Sequence, residues 1–298
     1  MGKASRIKQQ SAREKIAAQR AAAQRLERRN RLLITGGSIV LVLVVVAVFV
    51  VVKLSQGSST PSSSSSGRTA LPASVVGQVT NVPASTLDKV GKGAVPSFTS
   101  TPLSAASGTT LTSSGKPEML YIGAEFCPYC AAMRWSMAIA LSRFGEFTTP
   151  LQGIHSSPTD TDPNTATLTF YKTGYASKYL KFTPVENLTV SHSSLQSLTS
   201  EQNALWAKYE PDPNTRGYPF IDFGNKLVLK GPIFDPKVLA GKSWSQIAAV
   251  LHDPSSPITQ NVVGAANYVT GAICKMTNNQ PSGVCSSPAV TAVQGNLG

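Results

Sequence analysis

One uninterrupted apolar segment limits how the rest of the chain can be arranged. Residues 32–52 read LLITGGSIVLVLVVVAVFVVV and contain no charged side chain. A helix of this length is about 30 Å long, which matches the hydrocarbon core of a bilayer. A cleavable signal peptide would have a shorter apolar region and end in small residues, whereas this segment ends in Phe49 and three valines before Lys53. The sequence therefore predicts an uncleaved transmembrane helix over residues 32–54.

The positive charge of the chain is concentrated before this segment. The formal net charge is +12, and residues 1–31 contain ten lysines and arginines against two glutamates. An excess of basic residues on one flank is typical of the cytoplasmic side of a membrane helix. We therefore expect a cytoplasmic basic tail over 1–31, a single-pass helix in the cell membrane and an extracytoplasmic main domain. The lipid bilayer is then a partner, and no nucleic acid is needed to explain the charge.

Composition divides the chain after the apolar segment. Residues 55–74 are rich in serine and glycine, which is typical of flexible linkers that cannot bury a core. Residues 75–290 are long enough to form the extracytoplasmic domain with a substantial core, and residues 291–298 are predicted to be disordered. The region up to about Lys116 remains rich in Thr, Ser and Pro. We expect it to be an arm that packs loosely on the main domain.

Hydrophobic periodicity favours a mixed α/β domain. A buried strand is predicted at 118–126, followed by a helix that begins at Pro128 and ends near Gly145. Further strands are predicted at 151–157 and 167–175, a hairpin at 217–231, and helices at 194–210, 244–253 and 262–276. The predicted fold class is therefore α/β.

Cys127 and Cys130 enclose a proline and a tyrosine at the predicted start of a helix. Pro128 suits the first helical position, where its missing N–H costs nothing. Cys127 then lies at the helix N-terminus, where unpaired N–H groups and the helix dipole stabilise the reactive thiolate. Cys130 lies one turn further in, close enough to attack a mixed disulfide on Cys127. This spacing predicts an exposed nucleophile, Cys127, and a buried resolving thiol, Cys130.

The other two cysteines, Cys274 and Cys285, flank a loop of turn-forming residues. Disulfides are permitted in the oxidising compartment outside the membrane. We interpret the pair as a structural disulfide that closes a short loop and stabilises the fold by about 2–3 kcal/mol. A role as a shuttle partner for the first cysteine pair is the alternative.

A metal site is the chemical alternative for Cys127 and Cys130. A structural zinc site needs two close pairs of ligands, whereas ten residues separate the second cysteine pair and the three histidines stand alone. Copper could be bound by the first pair with Met133 or Met137, but methionines on an apolar helix usually pack in the core. We therefore predict no metal and no cofactor.

The segment AEFCPYC, residues 124–130, resembles the thioredoxin superfamily motif, in which Ala-Glu-aromatic-Cys-x-x-Cys ends the first central strand. Its Pro-Tyr dipeptide is similar to that of glutaredoxins, and Cys-Pro-aromatic-Cys also resembles periplasmic disulfide oxidoreductases. The layout of tail, anchor, linker and redox-like domain resembles an uncharacterised domain-of-unknown-function family of membrane-anchored thioredoxin-like proteins from actinobacteria and archaea. The resemblance implies a thioredoxin-like fold with an insertion between the CxxC helix and the cis-proline strand.

The resemblance also implies substrate-binding residues. Pro219, in the segment YPFIDF, matches the cis-proline beside the superfamily's active site. The backbone of Tyr218 is then expected to pair with the substrate, and Pro128 and Tyr129 are expected to contact it.

The implied function is exchange of disulfides with the cysteines of client proteins. Superfamily reductases carry a buried acid six residues before the first cysteine, where this chain has Tyr121. Glu125 lies near and is predicted to be more exposed, as a candidate proton relay. Oxidation or isomerisation is favoured over reduction, because no thioredoxin pool is available outside the membrane, and a membrane redox partner would complete the cycle. The alternative is a non-catalytic, membrane-tethered binding or assembly protein on the same fold.

Overall fold

The structure, a computed structural model, describes residues 67–298. The predicted basic tail, the predicted transmembrane helix and most of the predicted linker lie outside the described residues. Within residues 67–298, no helix combines the length and the apolar character needed to cross a bilayer.

Helices and strands follow one another along the described chain. Strands occur at Thr69–Ala70 (β1), Ser104–Ala105 (β2), Thr112–Ser113 (β3), Lys116–Gly123 (β4), Gly145–Phe147 (β5), Gln152–His155 (β6), Ala166–Thr169 (β7), Tyr175–Ser177 (β8), Lys181–Glu186 (β9), Phe220–Phe223 (β10) and Leu227–Lys230 (β11). Helices occur at Ala73–Thr80 (α1), Ala84–Val90 (α2), Val95–Phe98 (α3), Pro128–Leu141 (α4), Ser200–Tyr209 (α5), Trp244–Val250 (α6), Pro257–Met276 (α7), Ser282–Cys285 (α8) and Pro288–Gln294 (α9). The domain is therefore mixed α/β, as the sequence predicts.

A mixed sheet surrounds the strand that leads into the cysteine motif. β4 pairs in parallel with β9 and antiparallel with β10, and β10 pairs antiparallel with β11. The order β9-β4-β10-β11 makes β4 a central strand, and β2 extends the sheet beyond β11. β4 is buried from Met119 to Gly123, as expected for a strand that is covered on both faces.

Helix α4 lies between this sheet, the β6–β7 hairpin and α7. All of its residues except Tyr129 are buried, which is typical of a helix that is apolar on every side. The Ser136 hydroxyl donates a hydrogen bond to the carbonyl of Val262 on α7 at 2.8 Å. Met133 and Met137 lie fully buried in the core. The helix that carries the cysteines is therefore fixed along its whole length.

The predicted loose arm before β4 is instead part of the core, so this prediction is wrong. Its buried apolar side chains include Leu71, Val75, Val79, Leu87, Val90, Val95 and Leu103. Asn267 on α7 donates hydrogen bonds to the carbonyls of Leu87 and Gly91 at 2.9 and 2.8 Å. The short helices α1, α2 and α3 each bury only one or two apolar residues. Because Thr, Ser and Pro surround these residues, the sequence shows no clear apolar periodicity here.

Regular structure also extends past both predicted ends of the domain. β1 pairs with β6, and α1 begins at Ala73, although residues 55–74 are predicted to be a flexible linker. At the other end α9 is helical and Leu297 is only 5% exposed, although residues 291–298 are predicted to be disordered. Both ends contain apolar side chains that pack on the core, and these outweigh the polar composition around them.

Candidate functional site

Cys127 lies at the N-terminus of α4, as the sequence predicts. Its sulfur accepts a hydrogen bond from the backbone N–H of Cys130 at 3.2 Å, and Pro128 occupies the first turn. Cys130 is fully buried, but Cys127 is also only 3% exposed, so the prediction of an exposed nucleophile is wrong. Phe126, Leu188 and Tyr218 pack around the two cysteines and cover the first thiol.

The segment before β10 brings a cis peptide bond next to Cys127. The Tyr218–Pro219 bond is cis, and the Cys127 thiol donates to the carbonyl oxygen of Tyr218 at 3.6 Å. The Tyr218 hydroxyl donates to Asn187 Oδ1 at 2.6 Å, and its ring meets that of Phe126 edge to face. The structure therefore gathers the cysteine pair and the Tyr218–Pro219 segment at one site.

A fully buried ion pair lies behind the cysteines. Arg134, one turn after Cys130, donates from Nε and Nη2 to the two carboxylate oxygens of Glu186 at 2.9 and 2.7 Å. Nη2 also donates to the carbonyl of Ala124 at 2.8 Å, and both side chains are 0% exposed. Neither residue is among those that the sequence motifs single out. An arginine inside an otherwise uncharged, apolar helix is the signal that could have indicated it, because such a residue is rarely buried without a partner.

These charges give the two cysteines different acidities. Burial is the largest influence on Cys127 and raises its pKa, but hydrogen bonds from the thiol and N–H of Cys130, together with the Arg134 charge, outweigh burial and lower the pKa. For Cys130, burial and the neighbouring Cys127 raise the pKa well above its ordinary value. Cys127 therefore ionises first, and its thiolate is the reactive form of the pair.

Glu125 does not occupy the exposed position that the sequence predicts. It is 0% exposed, and Arg68 donates to its two oxygens from Nε and Nη2, both at 2.7 Å. The Thr169 hydroxyl donates to the same carboxylate at 2.8 Å. The Glu125 carboxylate can be buried because Arg68 and Thr169 supply the hydrogen bonds that water would otherwise donate to it. Both oxygens are thus held by groups other than the cysteines.

The residues around the two cysteines differ in their exposure to solvent. Tyr129 is 37% exposed, whereas its neighbour Pro128 is buried. A cleft of about 680 Å³ is lined in part by Ser157 and His192. The His192 ring stacks on Phe126 with a centroid distance of 4.0 Å. Tyr129 is therefore an exposed side chain between two buried cysteines, and the cleft approaches the motif through the contact of His192 with Phe126.

Cys274 and Cys285 form a disulfide, with an S–S distance of 2.00 Å and a Cα–Cα distance of 5.5 Å. They join the end of α7 to α8 within the main hydrophobic core. In the part of the chain that the structure describes, no three His, Cys, Asp or Glu side chains are arranged to hold a metal ion.

Comparison with known proteins gives one match. Residues 103–275 match the model of the family described as Domain of unknown function (DUF929). No curated protein matches the chain, and no solved structure matches it. The matched segment spans more than half of the chain and contains the cysteine motif, the buried ion pair and the Tyr218–Pro219 peptide. The chain therefore belongs to the DUF929 family, a family of unknown function.

Proposed function

We propose that this domain is a thiol–disulfide oxidoreductase that exchanges disulfides with client proteins through Cys127. The observation that carries the proposal is the asymmetry of the pair. Cys127 caps a helix and has a lowered pKa, while Cys130, one turn away, is fully buried and has a raised pKa. A nucleophile that ionises easily and a resolving thiol that is protected from solvent are the two groups that this chemistry requires.

We further propose that the fold is thioredoxin-like. The cysteine motif follows a central strand, β4, and a cis-proline precedes the β10–β11 hairpin beside the first cysteine. Both features correspond to the superfamily elements that the sequence resembles. The strands β5 to β8, between α4 and β9, correspond to part of the expected insertion.

The exchange proceeds in two steps when a client dithiol is oxidised. A client thiolate attacks the sulfur of Cys127, so that a Cys127–client disulfide forms, the Cys127–Cys130 bond breaks and Cys130 leaves as a thiolate. The second client thiolate then attacks the client sulfur, the client disulfide forms and Cys127 leaves as a thiolate. Two electrons pass from the client to the pair, and a membrane-bound electron acceptor would reoxidise it. The lowered pKa of Cys127 favours the second step, because a more acidic thiol is a better leaving group.

Client binding would use the groups around Cys127. The backbone of Tyr218 is close enough to pair with a client segment whose sulfur has reached Cys127. Tyr129 is the exposed member of α4 and supplies an aromatic contact surface. Because Phe126, Leu188 and Tyr218 cover the thiol, a client must displace part of this cover before exchange.

Trapping of the mixed disulfide tests the function. The Cys130→Ala variant lacks the resolving thiol, so we expect it to accumulate client proteins linked through Cys127. The Cys127→Ala/Cys130→Ala double variant, with the second disulfide intact, is the matched control. Absence of Cys127-linked clients, together with a wild-type pair that does not respond to glutathione redox buffers, would overturn the proposal.

The burial of Cys127 favours a second candidate, a non-catalytic binding or assembly protein on the same fold. A thiol that is 3% exposed is also what an unreactive pair would have. The rate at which iodoacetamide alkylates Cys127 in the native, reduced protein separates the two candidates. An oxidoreductase should be alkylated in the folded protein as the cover opens, whereas an unreactive pair should be alkylated only as the protein unfolds in urea.

The proposal includes the anchor that the sequence predicts, with residues 1–31 in the cytoplasm and the described domain outside. Variants Ser5→Cys and Ser63→Cys, treated in intact cells with a thiol reagent that cannot cross membranes, test this topology. We expect labelling at position 63 and protection at position 5. Labelling at position 5 would reverse the orientation.

A further inference from the structure

Two buried polar atoms behind the cysteine pair have no hydrogen-bond partner among the described residues. They are the hydroxyl oxygen of Tyr121 and Nη1 of Arg134. Buried polar groups are normally paired, and an unpaired one costs free energy. Two such atoms beside the same thiol therefore call for an explanation that the dithiol form does not supply.

The Tyr121 hydroxyl is directed along β4 toward the cysteine motif. Its ring is fully buried and meets Phe170 edge to face, with centroids 5.6 Å apart. A Cβ atom added to Gly123 would lie 2.0 Å from the Tyr121 hydroxyl oxygen, so the glycine provides the space that the phenol occupies. From there the hydroxyl interacts electrostatically with both Cys130 and Arg134.

Arg134 reaches the same place from the helix. Its Nε and Nη2 atoms are used by Glu186 and by the Ala124 carbonyl, so its position is fixed while Nη1 remains unpaired. The positive charge of Arg134 lowers the pKa of Cys130 against the effect of burial. The charged and titratable groups that act on Cys130 are Cys127, Arg134, Glu186, Tyr121 and Tyr218.

We propose that Tyr121 and Arg134 form a thiolate-stabilising site for Cys130, in which the Tyr121 hydroxyl donates a hydrogen bond to the sulfur once it is ionised. This inference rests on the proposed function, because only exchange makes Cys130 a thiolate. When a client thiolate attacks Cys127, the Cys127–Cys130 bond breaks and its electron pair moves to the sulfur of Cys130. The two unpaired donors then gain the acceptor that the neutral thiol does not offer.

Tyr121 acts as a donor and transfers no proton. Burial raises the pKa of Tyr121 well above its ordinary value, so the phenol stays protonated while Cys130 is a thiolate. In the reverse direction the Cys130 thiolate attacks Cys127 in the mixed disulfide, and the departing client thiolate takes its proton from solvent. Because the site stabilises Cys130 only as a thiolate, it speeds the step in which Cys130 leaves and so favours attack by a client thiolate on the oxidised pair.

The Tyr121→Phe variant tests the inference on the reduced protein. In a Cys127→Ser background, we expect the pKa of Cys130, followed by the ultraviolet absorbance of the thiolate, to rise so that the thiolate fraction at a given pH falls about tenfold. With both cysteines present and joined in a disulfide, the variant should be attacked more slowly by glutathione, because Cys130 is then a poorer leaving group. Tyr175→Phe is the matched control, since the Tyr175 hydroxyl donates to the Leu141 carbonyl, away from the cysteines.

The thermal stability of the reduced protein is the second readout. A structural role for the hydroxyl would make Tyr121→Phe less stable, whereas we expect no loss, because the hydroxyl has no hydrogen-bond partner in the described part of the reduced protein. An unchanged Cys130 pKa, together with an unchanged rate of glutathione attack on the disulfide form of a folded Tyr121→Phe variant, would overturn the inference. A shifted pKa without client mixed disulfides in Cys130→Ala would instead support the thiolate site and count against the proposed function.

Discussion

The two cysteine pairs of the domain lie at opposite ends of helices. Cys127 and Cys130 begin α4, where the dipole and unpaired N–H groups favour a thiolate. Cys274 lies in the last turn of α7 and Cys285 is the last residue of α8, where the dipole disfavours negative charge. The first pair also has an arginine buried behind it, while the second is surrounded by the hydrophobic core.

This difference separates the two uses of a disulfide. Under the proposed function the first pair must break and re-form, which requires nearby groups that stabilise negative charge on sulfur. The N-terminus of α4 and the charge of Arg134 act on Cys127, and Tyr121 is the donor proposed for Cys130. A pair that only closes a loop gains from surroundings in which a thiolate would be costly. In this domain the position relative to a helix end and to a buried arginine distinguishes the pair whose surroundings favour a thiolate from the pair whose surroundings do not.

The largest expected effect is loss of exchange on removal of the Cys127 thiol. Cys127→Ser should reduce disulfide exchange with a fluorescent client peptide to the uncatalysed rate, because no other thiolate is activated in the proposed mechanism. Cys274→Ala/Cys285→Ala should leave the rate unchanged in folded protein. If folded Cys274→Ala/Cys285→Ala also lost exchange, the second pair would be needed for exchange. The assignment of different roles to the two pairs would then be wrong.

Breaking the ion pair behind Cys130 should have the largest effect on stability. Arg134→Met leaves Glu186 charged, buried and unpaired, which should lower the free energy of unfolding by about 3–5 kcal/mol. Arg134→Met/Glu186→Leu should recover most of this loss in urea unfolding, yet raise the pKa of Cys127. Arg68→Met, at the more exposed pair with Glu125, is the control and should leave that pKa closer to wild type. An unchanged Cys127 pKa in the double variant would show that Arg134 does not contribute to the acidity of Cys127.

Loss of the second disulfide should be smaller and purely structural. Cys274→Ala/Cys285→Ala opens a loop with a sequence separation of 11, for which the chain-entropy model gives about 3 kcal/mol. Urea unfolding of the oxidised wild type and of this variant measures the difference. The Cys127 pKa, measured on the reduced first pair, should be the same in both proteins, and a change would indicate coupling between the two ends of the domain.

Local patterns predicted the elements that carry the cysteines. The strand β4, the helix α4 and the β10–β11 hairpin follow from apolar periodicity and turn chemistry, and Gly224 and Asn225 have the positive φ angles that such a turn requires. Strand β9 was missed, because its sequence KFTPVE contains a proline, which argues against a central strand. β9 in fact pairs with β4 alone among the described strands of this sheet, and a proline is tolerated at such an edge.

Contacts between distant segments could not be predicted in the same way. Glu186 lies 52 residues from Arg134, and it reaches the site only because β9 pairs in parallel with β4. The burial of Cys127 depends similarly on Leu188 and Tyr218, which come from two other parts of the chain. The sequence thus indicated which thiol lies at the helix N-terminus, while the residues that cover this thiol and the charges that act on it depend on the tertiary fold.

The smallest expected effect is the pH dependence of the first pair. Alkylation of Cys127 should accelerate with rising pH and level off above its pKa, which lies below the ordinary value of 9.0. Because this pKa is lower in the folded than in the unfolded state, ionisation stabilises the reduced protein fully above the unfolded-state pKa, and the contribution is lost as pH falls through the folded-state pKa. It amounts to about 1.4 kcal/mol for each tenfold difference in acidity. In urea unfolding, reduced Cys127→Ser should lack the increase in the free energy of unfolding that the wild type shows between the folded-state and unfolded-state pKa values of Cys127. An alkylation midpoint at or above pH 9.0 would instead show that the Cys127 thiol is not acidified by its surroundings.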